Sequence, residues 1–194
     1  MANADTPFGL RPVGHLYGQD WSTKMETFYC PVGDSVAIYK GDLVKQNGTA
    51  DSTGRWMTVA QADSTDTTII GVAWAFSTVS QIAADPTDHE RDYRPASTAM
   101  YIKVITDPNV IYEIQEDGAI AYASVGLACD ITDGTGSSTT GLSGVELDSS
   151  EVNTTGQLKI LGLAHRDDGS NDIGTNAIWR VVINEHYYRL DAGA

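Results

Sequence analysis

From residue 35 onward the apolar residues fall into short runs or strict alternations, each bounded by turn formers. Ser35-Val36-Ala37-Ile38-Tyr39 leads through Lys40-Gly41-Asp42 into Leu43-Val44-Lys45, and Asn47-Gly48 follows. Thr67 to Phe76 is nearly continuous in apolar character, and Met100 to Thr106 and Val110 to Gln115 flank Asp107-Pro108-Asn109. Leu158 to Leu163 and Ala177 to Ile183 repeat the style around a polar Arg166 to Asn176 loop. Period-two patterning between frequent turn signals predicts a mostly β chain folded as a single barrel- or sandwich-like domain. Asn47-Gly48 reads as a tight hairpin turn, and 100–106 with 110–115 as an antiparallel hairpin whose turn is fixed by proline. Thr78 to Ala84 alone reads as one or two helical turns.

The first residues differ. Pro7, Gly9, Pro12 and Gly14 stand between the apolar Phe8, Leu10, Val13 and Leu16, a pattern that forbids a helix because proline removes donors and holds its predecessor extended. Residues 1–24 are therefore expected to be an extended N-terminal arm on a β-rich domain of residues 25–194. Sixteen extended residues reach up to ~55 Å, against a radius of gyration of ~16 Å for such a domain. Two readings stand side by side: an arm that adds a strand to a neighbouring molecule, or an edge strand packed on its own domain. On the first, Pro7, Phe8, Leu10, Arg11, Pro12, Val13, Leu16 and Trp21 are the candidate partner-binding residues, Arg11 would meet an acid on the partner, and removing residues 1–14 should leave the domain folded.

Two stretches interrupt the strand pattern. Asp85 to Arg94 is dense in charge between Pro86 and Pro95 and reads as an exposed loop. Residues 130–157 are rich in Gly, Ser and Thr and carry five acids without one base, which predicts a long mobile or surface-wrapping excursion.

Charge narrows the partners. The 194 residues hold 12 Lys and Arg against 26 Asp and Glu, a net −14, so phosphate-tracking nucleic-acid binding and anionic membranes are both disfavoured. At 41 % hydrophobic the chain can build a core. No export signal is expected, and the most apolar run, Ile69 to Phe76, is far shorter than the ~20 residues of a spanning helix. Cys30 and Cys129 lack any metal-ligand spacing and read as two reduced thiols, with a single disulfide between them as the alternative.

Catalytic patterns are incomplete, and no enzyme activity, metal or cofactor is expected. Gly141-Leu142-Ser143-Gly144-Val145 lacks the last glycine of a nucleophile elbow, Gly134-Thr135-Gly136 lacks the third glycine of a dinucleotide loop, and His15, His89, His165 and His186 are scattered. Asp167 to Asp172 departs from the calcium-loop template and reads as an acidic turn. Among the aromatic residues, Trp74 and Trp179 read as core, whereas Trp21 and Trp56, beside polar turns, read as interface or sugar-stacking anchors together with Tyr17, Tyr29, Tyr187 and Tyr188.

Four patches carry a resemblance. Ala2-Asn3-Ala4-Asp5-Thr6-Pro7-Phe8-Gly9-Leu10-Arg11-Pro12-Val13 resembles the opening of small virion structural proteins of tailed bacteriophages. Val104 to Gln115, Thr155 to Gly162 and Ala177 to His186 are similar to later segments of the same proteins, in the same order. The resemblance implies a capsid decoration (cement) protein on the outer surface of the phage head, made in the host cytoplasm during assembly, with an arm that clasps the shell. Its expected partners are the major capsid protein and neighbouring copies of itself. A homotrimer is the expected arrangement, because local threefold positions let one small protein touch several subunits equivalently. A tail or head-fibre protein is a near relative of this reading, a carbohydrate-binding or adhesion module is the rival of another class, and a hydrolase at Ser143 is a third.

Overall fold

The computed structural model describes residues 3–78 and 91–189. Five strands close into a barrel, in the order β2 (Met25–Cys30), β5 (Met57–Gln61), β4 (Leu43–Ala50), β6 (Gly71–Thr78) and β8 (Met100–Ile105). Beside it lies an antiparallel six-stranded sheet in the order β1 (Arg11–His15), β9 (Val110–Gln115), β13 (Ile178–Ile183), β12 (Leu158–Leu163), β10 (Ala128–Thr132) and β11 (Glu146–Asn153). A two-stranded ribbon joins β3 (Ile38–Tyr39) to β7 (Tyr93–Arg94). The mostly β architecture with a barrel is the fold class expected from the pattern.

Strand alternation explains how barrel and sheet become one body. Successive side chains point to opposite faces, so Val44, Ala73 and Val104 face the barrel interior with Phe28, Phe76 and Ile102. Their neighbours Leu43, Val72 and Ile105 point outward and join Tyr112, Ile114, Leu158, Ile160 and Trp179 in a second core between barrel and sheet. All of these except Phe28 are fully buried, and each aliphatic or aromatic side chain removed from water contributes about 1.5 to 3 kcal/mol. Cys30 lies in the first core and Cys129 in the second, both as free thiols. They share no cluster, so the disulfide alternative falls, and burial pushes both thiols up to about 12.

Several local expectations are corrected. Residues 100–115 do not form a hairpin: β8 pairs with β2 and β6 in the barrel, while β9 pairs with β1 and β13 in the sheet. The Asp107–Asn109 turn forms, with the Asn109 amide donating to Asp107 Oδ1 at 2.9 Å, but it turns the chain from one layer to the other. Both flanking strands are buried enough to need two neighbours each, and a hairpin leaves neither layer complete. Asn47-Gly48 is a bulge within β4, with Gly48 at φ +81°. The chain reverses later, where the Asp51 amide donates to Trp56 O and Asp51 Oδ1 accepts from the Arg55 and Trp56 amides. Residues 130–157, expected as a long mobile or surface-wrapping excursion, include the end of β10 and all of β11, and 136–143 packs against β3 and the turn that follows it. The helical turn expected at Thr78 to Ala84 lies, beyond Thr78, outside the described residues, as does most of the loop expected at 85–94.

Arg94, expected at the end of that exposed loop, is fully buried. Its guanidinium donates to four main-chain carbonyls, those of Pro31, Asp34, Val36 and Thr98, and lies 3.5 Å from the Asp34 carboxylate. The 31–36 segment has no ladder of its own, so this one side chain adds to the Asp34 N–Pro31 O and Ser97 N–Asp34 O hydrogen bonds the further donors that its carbonyls need.

Candidate functional site

The N-terminal segment is built into its own domain. Asn3 Nδ2 donates to the carbonyls of Asp172 and Thr175, Thr6 N donates to Gln115 Oε1, and Gln115 Nε2 donates to Ala4 O. Leu10 N then donates to Gly41 O, and Arg11 to His15 pair with β9 as the edge strand of the sheet. Of the two readings of this segment the structure has the edge strand. Pro12 fits there because an edge position tolerates a missing donor, and the bulge between Pro12 and Gly14 blunts the strand.

The candidate residues accordingly divide. Leu10 is fully buried in the core and Pro12 is buried, so neither is available to a partner, which corrects that part of the expectation. Pro7, Phe8 and Trp21 are half-buried. Val13 and Leu16 are 43 % and 44 % exposed and adjoin Tyr17 at 73 %. Arg11 meets an acid within its own chain: its Nη2 lies 2.7 Å from Glu113 Oε2, and Arg166 makes a forked pair with the same carboxylate. The two guanidinium groups overcome the burial of Glu113 and hold its carboxyl below the usual range.

Behind the arm, the Tyr39 to Asp42 turn ties three segments together. Gly41 O accepts from Leu10 of the arm, Gly41 N donates to Ala73 of the barrel, Lys40 N donates to Gly141 O, and Ser143 N donates to Lys40 O. The packing is close enough that a Cβ on Gly41 would sit 2.8 Å from Phe8 O, and Gly41 has φ +97°. Asp42 is fully buried in this knot, its Oδ2 accepting from the Tyr39 amide at 2.7 Å and its Oδ1 without a hydrogen-bond partner. Burial outweighs the favourable Ser143, Tyr39 and Gln61 dipoles and pushes the carboxyl up to about 6.

A group that holds its proton more tightly in the folded chain stabilises fully below its unfolded value near pH 4, and that contribution is lost as pH rises through 6. Asp42→Asn keeps an acceptor for Tyr39 N and removes the buried charge. Its stability relative to the native protein is expected to rise between pH 4 and 7, by at most about 3 kcal/mol, as read from urea unfolding at a series of pH values. A flat difference across that range contradicts the assignment.

On the outer side of the knot, Phe8, Leu10, Arg11, Lys40, Trp74 and Leu142 line an apolar recess of about 200 Å³. Trp74, expected in the core, is only half-buried and forms part of this wall, with Trp21 packed edge-on against it at 5.4 Å. The Arg11 guanidinium lies 4.6 Å from the centre of the Phe8 ring and the Lys40 ammonium 5.5 Å from that of Trp74. Nothing in the sequence marks Lys40, Trp74 and Leu142 as partners of the arm. Their neighbourhood depends on pairing between segments far apart in sequence, for which no local signal exists.

The remaining candidates are placed elsewhere. Ser143 is buried, with Oγ accepting from the Val145 amide, so a substrate carbonyl has no path to it. His15 faces Asp107 at 3.2 Å, His165 faces Asp167 on the surface, and His186 is buried against Tyr188, its value pushed down to about 4 by desolvation. Among the described residues no set of three His, Cys, Asp or Glu side chains is arranged to hold a metal ion. In the Asp167 to Asp172 turn, Asp168 accepts from the Ser170 amide and Asn171 is turned inward onto Ala164 and Ile178. Trp56 packs edge-on against Tyr101, and Trp179 is fully buried, as expected.

Comparison with protein-family models, with curated proteins and with solved structures found no match to this chain.

Proposed function

We propose that this chain is a capsid decoration protein of a tailed phage, bound to the outer surface of the head and bridging subunits of the major capsid protein as a homotrimer. The observation that carries the reading is the exposed edge at β1, where Val13, Leu16 and Tyr17 leave apolar surface in water on a chain of charge −14. Apolar side chains gathered at a strand edge and rimmed by charge suit a protein interface, and the resemblance of the four sequence patches names its kind. A protein that binds the assembled shell and not free subunits stabilises the shell by mass action. Many identical weak contacts add through symmetry.

The experiment is binding of the purified chain to purified undecorated heads, with copy number by mass spectrometry and position by cryo-electron microscopy. Saturation at hundreds of copies around local threefold axes is expected. Val13→Asp with Leu16→Asp should lower occupancy more than tenfold without moving the melting temperature, since both side chains face solvent. Full occupancy by that variant, or a handful of copies confined to the tail, overturns the reading.

A second reading, a carbohydrate-binding module, has one observation in its favour. A cleft of about 680 Å³ opens at the barrel beside Tyr29, Asn47, Asp51, Thr53 and Tyr101, combining aromatic faces with hydrogen-bonding groups. Glycan-array binding that is lost in Tyr101→Ala supports it over the first.

A further inference from the structure

We infer that the recess between Phe8, Trp74 and Leu142 receives one apolar side chain of a partner protein, and that a carboxylate next to that side chain pairs with Lys40. The inference adds to the Val13, Leu16 and Tyr17 edge a second contact with the same partner, and rests on the decoration reading proposed above. Three observations carry it. The recess has room for a single large side chain and is walled by aromatic and aliphatic groups, with Leu142 left 36 % exposed at its mouth. Its walls are set by the main chain, through the Leu10–Gly41, Lys40–Gly141 and Ser143–Lys40 hydrogen bonds, so the shape exists before anything binds and little ordering is needed. The charges complement an acid. Arg11 is already committed to Glu113, whereas Lys40, among the described residues, has no carboxylate within ion-pair distance and rests over the Trp74 face. A lone ammonium beside an apolar cavity on a strongly acidic molecule favours an anionic, apolar visitor and disfavours a cationic one.

The recess is tested with phenylacetate, which joins one apolar ring to one carboxylate, against phenylacetamide and acetate. The readout is the indole N–H resonances of Trp74 and Trp21 in the full-length protein. Phenylacetate is expected to shift both with millimolar affinity, phenylacetamide to bind at least fivefold more weakly, and acetate to leave them unmoved. Lys40→Met should cut phenylacetate affinity at least fivefold while leaving phenylacetamide unchanged, which separates loss of charge from loss of fold. Leu142→Asp, at the exposed rim, should abolish phenylacetate binding. Equal binding of phenylacetate and phenylacetamide, or no perturbation of either indole, overturns the inference. Heads provide the second arm. If Lys40→Met and Leu142→Asp bind heads as well as the native chain does, the recess assignment is wrong while the decoration reading survives. If phenylacetate binds as described and the native chain does not bind heads, the decoration reading fails and the recess stands.

Discussion

Arg94→Ala is expected to remove about 4 kcal/mol or more of folding free energy and to leave the barrel end around residues 31–36 unfolded. The guanidinium satisfies the carbonyls of Pro31 and Asp34 at 2.8 Å each and of Thr98 at 2.7 Å, with Val36 as a fourth acceptor. Truncation strips the Val36 and Thr98 carbonyls of their donor, leaves those of Pro31 and Asp34 with one main-chain donor each, from Asp34 N and Ser97 N, and leaves Asp34, whose side chain is 6 % exposed, without its cation. A buried acceptor stripped of its partner costs about 1 to 3 kcal/mol, and breaking a buried ion pair from one side costs about 3 to 5 kcal/mol. These terms overlap, so the lower end of their sum is the expectation, against a total stability of roughly 5 to 15 kcal/mol for a domain. Arg94→Lys keeps the charge but cannot spread donors over four carbonyls, and should recover less than half of the loss. Urea midpoints for the three proteins decide the matter, and a shift equivalent to less than 1 kcal/mol for alanine contradicts the role assigned to the arginine.

Removal of residues 1–16 is expected to abolish stable folding, the opposite of what an independent arm predicts. Leu10 is fully buried among core residues contributed by both layers, and loss of such a side chain alone costs about 2 to 5 kcal/mol. Deletion also strips β9 of one neighbour. All six residues of that strand are buried, so a hydrogen-bonding edge and apolar surface become exposed together. Gln115 loses its contacts to Ala4 and Thr6, and Glu113 keeps only Arg166. Leu10→Ala, which leaves the strand in place, separates packing from pairing and should lower stability by roughly half as much as the truncation. A truncated chain with native melting temperature and near-ultraviolet circular dichroism sinks the expectation.

The strands were legible because their alternation is local: β8, β9, β12 and β13 fall where the apolar periods place them. Their partners were not. A proline turn between two strands resembles a hairpin whether the strands pair or part company, and only the two-sided burial of β9, a property of the assembled layers, decides it. Asn47-Gly48 satisfies a bulge as readily as a turn, since both need a residue at positive φ. The candidate residues of the arm were recognised as apolar and extended, but the same pattern serves a strand docked at home. What distinguishes the two is a surface to receive Leu10, built from segments reaching as far as residue 183. Arg94 reads as exposed for a related reason, because charge argues for exposure and nothing within the loop discloses four carbonyls converging on it.

The pairing of Arg11 with Glu113 spans 102 residues of sequence, and that distance sets a schedule for the chain during its synthesis. At about 5 to 20 residues per second, a ribosome makes β1 roughly 5 to 20 seconds before it completes the strand on which β1 must rest. Through that interval Phe8, Leu10 and Val13 emerge with no sheet to join, and β13, which flanks β9 on the other side, arrives later still. The same features that fit β1 to a sheet edge serve it while it waits. Pro7 and Pro12 hold the backbone extended, and the bulge after Pro12 spoils its register with any other nascent strand. The first strand made thus waits for the ninth before it can be seated, and the sheet it edges is completed only when β13 arrives.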